Sequence, residues 1–435
     1  MKPNFALISI LLISKAIASS EAFVVNNLAE TLSRIDLETG LVQNHITVLG
    51  DTPNQVDYHD GFIYALNSIS ANLQKIDPQS HQVIADILLP VGSNPYSMEF
   101  DATYAYVSGW VSGRIYRVNL NTNQVDDYVE IGGFPEGVLF HDGYLYVAQT
   151  GFNPNDFSYG QGRMAIIDAT DLTLIDEINV GKNPQSVILG PDSTLHVVCT
   201  GNYFDISGSI YIFDLNSQSV FDSILIGGQP VSGAIWRDTV FLAAGGWDDM
   251  GHVYSYESRS RMIIRGPSNP IEVGMGAMAL AVDSLGIIYS CAFGIDMVSR
   301  FNVSGEILGS YALGDGPQSI VIVDDRSTDI VEPEPLPEQP RLAGSYPNPF
   351  NDRTMITFTS APGLSVRVSI FDLQGRLVTR IPAETKGGGG KVIWDGRDSG
   401  GRNCSSGPYF ALISSANRVN DRELTGNVIK LTYVR

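Results

Sequence analysis

The sequence predicts an all-β protein: a seven-bladed β-propeller followed by a small β-sandwich. Three observations predict this fold class. A Gly-x-x-Pro motif recurs at intervals of roughly 40 to 49 residues, the period of a four-stranded propeller blade. Each interval contains segments such as RIYRVNL and SIYIFDL, whose alternation is typical of half-buried strands. A Pro- and Glu-rich segment then separates this region from a second set of short strands.

The recurring motif is the anchor of each predicted blade. Successive copies end at Pro53, Pro95, Pro135, Pro184, Pro230, Ala277 and Pro317. After each anchor come a strand, a tight turn and a second strand, and the Asp-Gly pairs at Asp60 and Asp142 supply the positive φ values that a short hairpin needs. The chain before Gly50 holds three strands and the chain after the last anchor holds one. We therefore expect both ends of the region, 21–325, to close one shared blade.

The first residues predict export. Residues 1–18 combine the basic Lys2, a short apolar run and the small residues Ala16 and Ala18, the arrangement of a secretory signal peptide. No later segment reaches the ~18 apolar residues of a membrane span, so we expect no integral membrane segment. The formal net charge of −20 argues against nucleic-acid and membrane-surface partners, because an acidic surface repels phosphate.

The repeat also carries a family resemblance. Its clearest copy, GKNPQSVILGPDSTLHVVCTGNYFDISGSIYIFDLNSQS, resembles the YVTN-type bacterial surface propellers, which are related to the NHL and YncE-like groups. The resemblance implies the propeller fold. It implies little about function, because such propellers include binding proteins, lyases and hydrolases; some capture cobalamin, and others engage glycans or proteins.

One rim of the propeller is predicted to carry a ligand site. The loops that share a face with the anchors are the longest, and they mix aromatic rings with amides and carboxylates, a combination suited to sugars, polar macrocycles or peptide surfaces. The alternative is that these rings only pack against one another. The candidate ligand-binding residues are Trp110, Phe152, Asn155, Asp156, Tyr159, Asn202, Tyr203, Phe204, Trp247, Asp248 and Asp249.

The central channel offers a second candidate site. The residues expected to face it are Tyr96, Glu99, Glu136, Gln185, Ser186, Ser232 and Gln318. Glu99 and Glu136, on neighbouring blades, are the paired carboxylates that acid–base catalysis would use. Other enzyme signals are poor, because the histidines are dispersed and no catalytic motif occurs. No cofactor or metal site is predicted; Asp248 and Asp249 could hold calcium but lack the spacing of a dedicated loop.

The C-terminal region is predicted to form a separate domain. Residues 326–340 read as an extended, charge-repelled spacer. Residues 341–435 contain short strands joined by turns such as DLQG and DGRDSGG, which suits a small immunoglobulin-like sandwich. We expect Tyr346 and Phe350 to anchor its first turn in the core.

This domain closely resembles the type A C-terminal sorting domain of type IX secretion, itself similar to the Ig-like domain of flagellar hook-capping proteins. The matching residues are Tyr346, Pro347, Asn348, Pro349, Phe350 and Asn351, then 368–375, Trp394, Asp395, Gly396, Gly400, Gly407, Tyr409, Ile429, Lys430 and Leu431. The resemblance implies export across the outer membrane of a Gram-negative cell, with the type IX translocon as partner. The alternative is a permanent adhesive or structural module.

Together these patterns favour a secreted or cell-surface propeller that binds a small molecule, glycan or protein at its aromatic rim. The enzyme alternative is a lyase or hydrolase at the channel mouth, and a third possibility is a purely structural surface repeat protein.

Overall fold

The computed structural model describes residues 20–245, 251–324, 340–359, 365–384, 389–416 and 423–434. It divides into two compact units, Met1–Ser327 and Thr328–Arg435. The predicted signal peptide and nearly all of the predicted spacer lie outside the described residues. Within them, one short 3₁₀ turn, Phe293–Ile295, is the only helical element. The predicted all-β fold is confirmed.

The first unit consists of strands of mostly five to seven residues. In chain order they are β1 (Ser20–Asn26), β2 (Thr31–Asp36), β3 (Val42–Val48), β4 (Pro53–His59), β5 (Phe62–Asn67), β6 (Asn72–Ile76), β7 (Val83–Leu88), β8 (Pro95–Phe100), β9 (Tyr104–Gly109), β10 (Arg114–Asn119), β11 (Gln124–Glu130), β12 (Pro135–His141), β13 (Tyr144–Gln149), β14 (Phe152–Asn153), β15 (Ser158–Tyr159), β16 (Arg163–Asp168), β17 (Thr173–Asn179), β18 (Pro184–Gly190), β19 (Thr194–Cys199), β20 (Ser209–Asp214), β21 (Ser219–Ile224), β22 (Ser232–Trp236), β23 (Thr239–Ala243), β24 (His252–Glu257), β25 (Ile263–Arg265), β26 (Ile271–Glu272), β27 (Ala277–Val282), β28 (Ile288–Ala292), β29 (Met297–Phe301), β30 (Ile307–Ala312) and β31 (Pro317–Asp324).

These strands form seven antiparallel sheets among the described residues, here called blades. Blade 1 has the order β3-β2-β1-β31, and blades 2 to 7 begin with β4, β8, β12, β18, β22 and β27 respectively. A small extra hairpin, β14-β15, projects from blade 4. In blade 1 the first and last strands pair, with Ala22 opposite Ile322. The predicted closure by both ends of the region is therefore confirmed.

The anchors place the innermost strand of each blade. Six of these strands begin at the last residue of an anchor, and all seven line one central channel. The hairpin turns have the predicted geometry, since Asp60 and Gly61 have φ of 46° and 82°, and Asp142 and Gly143 have 47° and 83°. Each Gly-x-x-Pro copy thus turns the chain inward to start a new blade.

Hydroxyl groups fasten neighbouring blades beside the anchors. Ser68 Oγ donates to the carbonyl of Pro95 at 2.5 Å, Ser108 Oγ donates to that of Glu136 at 2.6 Å, and Thr200 Oγ1 donates to that of Pro230 at 2.7 Å. Each donor lies at the end of its own blade's second strand, and each acceptor starts the next blade. These bonds satisfy buried backbone carbonyls and position the residues at the channel mouth.

Apolar clusters between adjacent blades form the core of this unit. One of them joins blades 2 and 3 through Tyr64, Leu66, Met98, Val107 and Tyr116, all almost fully buried. The same arrangement recurs between other neighbouring blades. Water is excluded from these contact faces. Polar residues that lie inside the ring of blades are therefore unusual, and they are candidates for function.

The C-terminal unit is a sandwich of two antiparallel sheets. Its strands are β32 (Arg341–Tyr346), β33 (Thr354–Thr359), β34 (Ser365–Phe371), β35 (Leu377–Glu384), β36 (Gly389–Trp394), β37 (Gly407–Ala416) and β38 (Glu423–Tyr433). One sheet has the order β32-β33-β36 and the other β35-β34-β37-β38. The core between them contains Ile356, Val368, Trp394, Ile413 and Leu431.

Candidate functional site

A cavity of about 300 Å³ occupies the central channel of the propeller. Residues from the innermost strands of all seven blades line it, among them the predicted channel residues Tyr96, Gln185, Ser186, Ser232 and Gln318. A smaller pocket of about 80 Å³ shares Tyr96, Gln185, Val231 and Met278 with it and reaches Tyr203 and Gln229. Among the described lining residues there are amides, hydroxyls and one carboxylate, but no Lys, Arg or His. The combined site is called the channel mouth.

Two carboxyl groups interact beside the channel: Asp57 lines the cavity, whereas the predicted channel residues Glu99 and Glu136 do not. The Gln55 side chain bonds to the Met98 backbone in both directions, at 3.0 Å to its carbonyl and 2.7 Å from its amide, and so joins blades 2 and 3. This tie brings Asp57 beside Glu99. Burial raises the pKa of Asp57 to about 6, and burial together with the Asp57 charge raises that of Glu99 to about 8. Part of this pair is therefore protonated near neutral pH.

Glu136 has a different environment. It is 6% exposed, and burial raises its pKa to about 8, an effect that the indole N–H of Trp110 partly opposes. The Glu136 charge is the largest cause of the raised pKa of Tyr96, and it also raises that of Tyr203. The predicted pairing of Glu99 with Glu136 stays a prediction. The charge that raises the pKa of Glu99, after burial, is that of Asp57 on the neighbouring blade.

Several buried polar atoms on blades 3 to 5 have no hydrogen bond of normal geometry to the described protein, and of their residues only Ser186 lines the channel mouth. They are Trp110 Nε1, Glu136 Oε2, Ser186 Oγ and both side-chain atoms of Asn183. Buried polar groups are nearly always satisfied by protein, ordered water or a ligand. Other blades hold such atoms too, among them Asn26 Oδ1, Asn67 Oδ1 and Ser290 Oγ. Ser186 Oγ differs from these in lining the cavity, where water or a ligand can reach it.

A chain of aromatic rings leads from the rim to this place. Trp110 lies 5.0 Å from Phe134 and 5.4 Å from Phe152 between ring centroids. Phe152 lies 5.5 Å from Tyr159, which in turn lies 5.8 Å from Tyr203. The inner rings therefore contact one another, as expected if these rings only pack together. Tyr203 is the last ring of this aromatic series, and it is 37% exposed.

Tyr203 connects the rim to the channel. Its hydroxyl oxygen accepts a hydrogen bond from Gln185 Nε2 at 3.0 Å, and both residues line the smaller pocket. Phe204, the next residue, is 93% exposed, and Phe157 at the tip of the blade 4 hairpin is 74% exposed. These outer rings present apolar surface to solvent rather than to the core.

The predicted amide and carboxylate ligands of the rim largely stabilise their own loops. Asp156 Oδ1 accepts hydrogen bonds from the amide and hydroxyl of Ser158 at 3.0 and 2.6 Å, which lower its pKa. Asn202 Oδ1 accepts from three amides of its loop, and its Nδ2 donates to Asp205 at 2.7 Å. Asn155 likewise donates to the asparagine two residues before it, at 3.1 Å. Trp247, Asp248 and Asp249 lie outside the described residues.

Sequence reasoning missed one residue of the channel mouth and two residues near it. Asp57 follows Pro53 at the same offset at which Glu99 follows Pro95, so an alignment of the repeats identifies it. Phe134 and Asn183 each precede the last residue of an anchor, and both have positive φ, 52° and 53°. The anchor pattern predicts a turn at these positions and gives no signal of a side-chain contact.

The predicted sorting motif forms a turn that holds the last strand. Asn348 Nδ2 donates to the carbonyl of Lys430 at 2.9 Å, and Asn348 Oδ1 accepts from the amide of Thr432 at 2.8 Å. Phe350 is 3% exposed and packs on Trp394 and Tyr433. The expected core role of Phe350 is confirmed.

The remaining motif residues lie at the surface. Both Tyr346-Pro347 and Asn348-Pro349 are cis peptide bonds. Tyr346 is 79% exposed, so its expected anchoring in the core is wrong. Asn351 and Lys430 are also exposed. The turn therefore exposes the ring of Tyr346, while the side-chain amide of Asn348 bonds to β38 and the ring of Phe350 packs in the core.

Residues 345–424 match the family model described as "Secretion system C-terminal sorting domain". Most of the C-terminal unit therefore matches a sorting domain. Its match places the protein among those sorted by type IX secretion, and the protein is secreted or displayed at the cell surface.

Solved structures resemble the propeller in fold. A functionally unknown protein from Desulfotomaculum acetoxidans has a TM-score of 0.56 at 17% identity, covering 70% of this chain and 99% of its own. A candidate 6-phosphogluconolactonase from Bacteroides fragilis has 0.57 at 12%, covering 72% and 99%. A quinonprotein alcohol dehydrogenase-like protein from Bacteroides thetaiotaomicron has 0.50 at 15%, covering 70% and 78%. At these identities the likeness shows the fold alone.

A sequence comparison and two searches of the described residues found nothing. No curated protein matched the sequence. In the described ranges, no helix is long and apolar enough to span a membrane, and no group of three or more His, Cys, Asp or Glu residues is placed to hold a metal ion.

Proposed function

We propose that the propeller is a binding module, carried outside the cell by its sorting domain, that captures a small polar ligand at the channel mouth. The observation that carries this proposal is the cavity of about 300 Å³ in the central channel, whose wall includes Tyr96, Gln185 and the unpartnered hydroxyl of Ser186. Ligand sites are typically concave, with a few convergent polar groups among apolar and aromatic walls.

Tyr203 and Gln185 are central to this proposal. They lie where the ring chain meets the cavity, and their mutual hydrogen bond of 3.0 Å closes part of the mouth. A ligand would replace that bond with its own polar groups and stack on the exposed ring. The outer rings Phe157 and Phe204 extend the apolar surface for a larger ligand such as a glycan.

Thermal-shift screening of the full chain against glycans, corrinoids and small polar metabolites tests the proposal. A ligand that binds only the folded state raises the melting temperature by mass action. For any compound found, we expect Tyr203→Ala and Gln185→Ala to weaken binding about tenfold or more, which is about 1.4 kcal/mol. Phe221→Ala, an exposed ring on the outer strand of blade 5, is the matched control. Unchanged affinity in both channel-mouth variants would overturn the assignment.

An enzyme is the second candidate, favoured by Asp57 and Glu99. Two carboxyls whose pKa values are pushed to about 6 and about 8 suit a general base and a general acid. A lyase or hydrolase using this pair would lose turnover on Glu99→Gln while it still bound its substrate. Equal loss of binding and turnover would favour the binding module instead.

A further inference from the structure

A second cavity lies at the end of the blades opposite to the anchors. Its volume is about 490 Å³, and its described lining residues come from β1, β2 and β31 of blade 1 and from β4 and two turns of blade 2. Strand β4 starts at the anchor residue Pro53, whereas the pocket wall includes Gly61, in the turn that follows the other end of this strand. None of the described residues of this wall lines the channel mouth. The cavity is therefore a separate site, called here the hairpin-face pocket.

Hydrogen bonds hold both walls of the hairpin-face pocket in place. On blade 1, Arg34 lies between two strands: it forms a salt bridge with Glu21 of β1, and its Nη1 donates to Gln43 of β3 at 3.0 Å. On blade 2, the carbonyl of His81 accepts a hydrogen bond from Thr47 Oγ1 of blade 1 at 2.9 Å. The two blades are thus joined beside the pocket. Such preorganisation lowers the entropy that a ligand would lose by ordering the site.

The polar groups of this pocket include both donors and acceptors. A guanidinium group has five N–H donors, and the described bonds of Arg34 to Glu21 and Gln43 use one donor on each terminal nitrogen. The Arg34 side chain is 18% exposed and lines the pocket, so its other donors are left for water or a ligand there. The Glu21 carboxylate and the Gln79 amide add acceptors to the wall. Because Arg34 and Glu21 neutralise each other, the pair favours a ligand without net charge.

Rings and apolar groups form much of the remaining wall. They are Phe23, Tyr58, Pro78 and Val323. A pyranose sugar has a face of C–H groups that packs on an aromatic ring, and its hydroxyl groups both donate and accept hydrogen bonds. The volume of about 490 Å³ falls in the range of small-molecule sites, about 300 to 1,000 Å³. The wall chemistry and the volume therefore both suit a sugar.

We propose that the hairpin-face pocket binds a neutral pyranose sugar, with neighbouring hydroxyls on the Arg34–Glu21 pair and one face of the ring against Tyr58. A free monosaccharide and the end of a longer glycan offer the same chemistry to this pocket. The inference goes beyond the proposed function, because it assigns a second site that shares no described lining residue with the channel mouth. A propeller with both sites binds at the two ends of its blades.

Saturation-transfer NMR and calorimetry on the full chain test this inference. The probes are the methyl pyranosides of glucose, galactose and mannose, with sorbitol as an open-chain polyol and glucuronate as an anionic sugar. We expect at least one pyranoside to bind, sorbitol to show no binding, and glucuronate to bind no more tightly than the glucoside. Cellobiose and lactose distinguish the two sources. A disaccharide that binds at least tenfold more tightly than its monosaccharide indicates a glycan end, and equal affinity indicates a free sugar.

Two substitutions place the sugar in the pocket. Arg34→Lys keeps the positive charge beside Glu21 but removes the planar set of donors, so we expect binding about tenfold weaker, or about 1.4 kcal/mol. Gln79→Ala removes an exposed amide and keeps the backbone bond of this residue to Asp77 at 3.2 Å, so it should fold normally and bind several-fold more weakly.

Matched controls for these substitutions lie on blade 3. Arg114→Lys changes an arginine that pairs with Glu130 at 3.2 Å, and Gln124→Ala removes another exposed amide. Neither residue lines the hairpin-face pocket or the channel mouth. Both variants should bind the sugar with wild-type affinity.

The outcomes separate this inference from the proposed function. No pyranoside binding, sorbitol binding equal to that of the pyranosides, or a clear preference for glucuronate would each overturn it. Sugar binding that is lost in Tyr203→Ala and Gln185→Ala but kept in Arg34→Lys and Gln79→Ala belongs to the channel mouth, which supports the proposed function and overturns this inference. If another metabolite binds at the channel mouth and no pyranoside binds anywhere, the binding module stands and the hairpin-face site is wrong.

Discussion

At Gly137 the backbone of blade 4 approaches blade 5 too closely for any side chain. A Cβ atom there would lie 2.6 Å from the carbonyl oxygen of Gln185 and 2.7 Å from Cα of Ser186. Both obstacles are backbone atoms that lie on the next innermost strand, so neither can rotate away. This contact sets the separation of the two blades and with it the positions of Glu136 and Gln185 at the channel mouth.

We expect Gly137→Ala to destabilise the propeller by about 1 to 3 kcal/mol, because the added methyl forces the two strands apart. It should also weaken any channel ligand, since Gln185 moves with its backbone. Thermal unfolding and ligand titration measure the two effects. Gly266→Ala is the control, since its nearest contact would be an ordinary 3.4 Å. Equal melting temperatures for both variants would contradict the close approach.

The last strand of the sorting domain shows how one loop can hold a whole element. Asn348 bonds to β38 at Lys430 and Thr432, and Phe350 exchanges backbone bonds with the same strand, its amide donating to Thr432 at 3.0 Å. The Val434 amide returns a bond to the Phe350 carbonyl at 2.8 Å. The motif thus pins the end of the chain to the start of the domain.

We expect Asn348→Ala to loosen β38, because two hydrogen bonds to backbone groups are lost at about 0.5 to 1.5 kcal/mol each. Hydrogen exchange at the Thr432 amide should accelerate several-fold. Tyr346→Ala is the matched control, since this exposed ring contributes little to the sandwich. Equal exchange at Thr432 in the two variants would show that the clamp does not hold the strand.

Elements were more predictable than side-chain partners. The anchors and the Asp-Gly hairpins could be identified because Gly, Pro and Asp act through local φ preferences. The repeat predicts Glu99 in the channel, but its charge partner Asp57 belongs to the neighbouring blade, which the Gln55 bonds to Met98 and an apolar cluster hold against it. Asn202 was expected to meet a ligand, yet its amide closes its own loop. The group to which such a side chain bonds depends on which groups the fold brings near it, and the sequence alone does not give this.

Across the whole molecule, acids divide into two classes by position. Those in the turns of the blades, such as Asp36 and Asp214, accept backbone hydrogen bonds that lower their pKa. Those in the channel have raised pKa values because burial disfavours their charge. The first class stabilises the folded state when ionised, and the second when protonated. Ionisation of the channel acids therefore lowers the stability of the folded state, and such costs are common at functional sites.

The pH dependence of stability follows from the channel class. Glu99 and Asp57 have pKa values raised to about 8 and about 6, so the folded state holds their protons more tightly than the unfolded chain does. The stability that these protons contribute is fully present below about pH 4 and is lost as the pH rises through 6 to 8.

The turn acids stay ionised above pH 5, so they do not change the stability between pH 5 and pH 8.5. We expect this pair to lower the stability of the ligand-free chain by on the order of 5 kcal/mol between pH 5 and pH 8.5, since each pH unit over which a folded-state proton is lost is about 1.4 kcal/mol. Chemical denaturation of the propeller at both pH values measures the loss, and the Asp57→Asn, Glu99→Gln double variant should lose clearly less. Asp156→Asn, which removes a turn acid, should keep the wild-type slope, and a double variant with that same slope would show that the channel pair is not the cause.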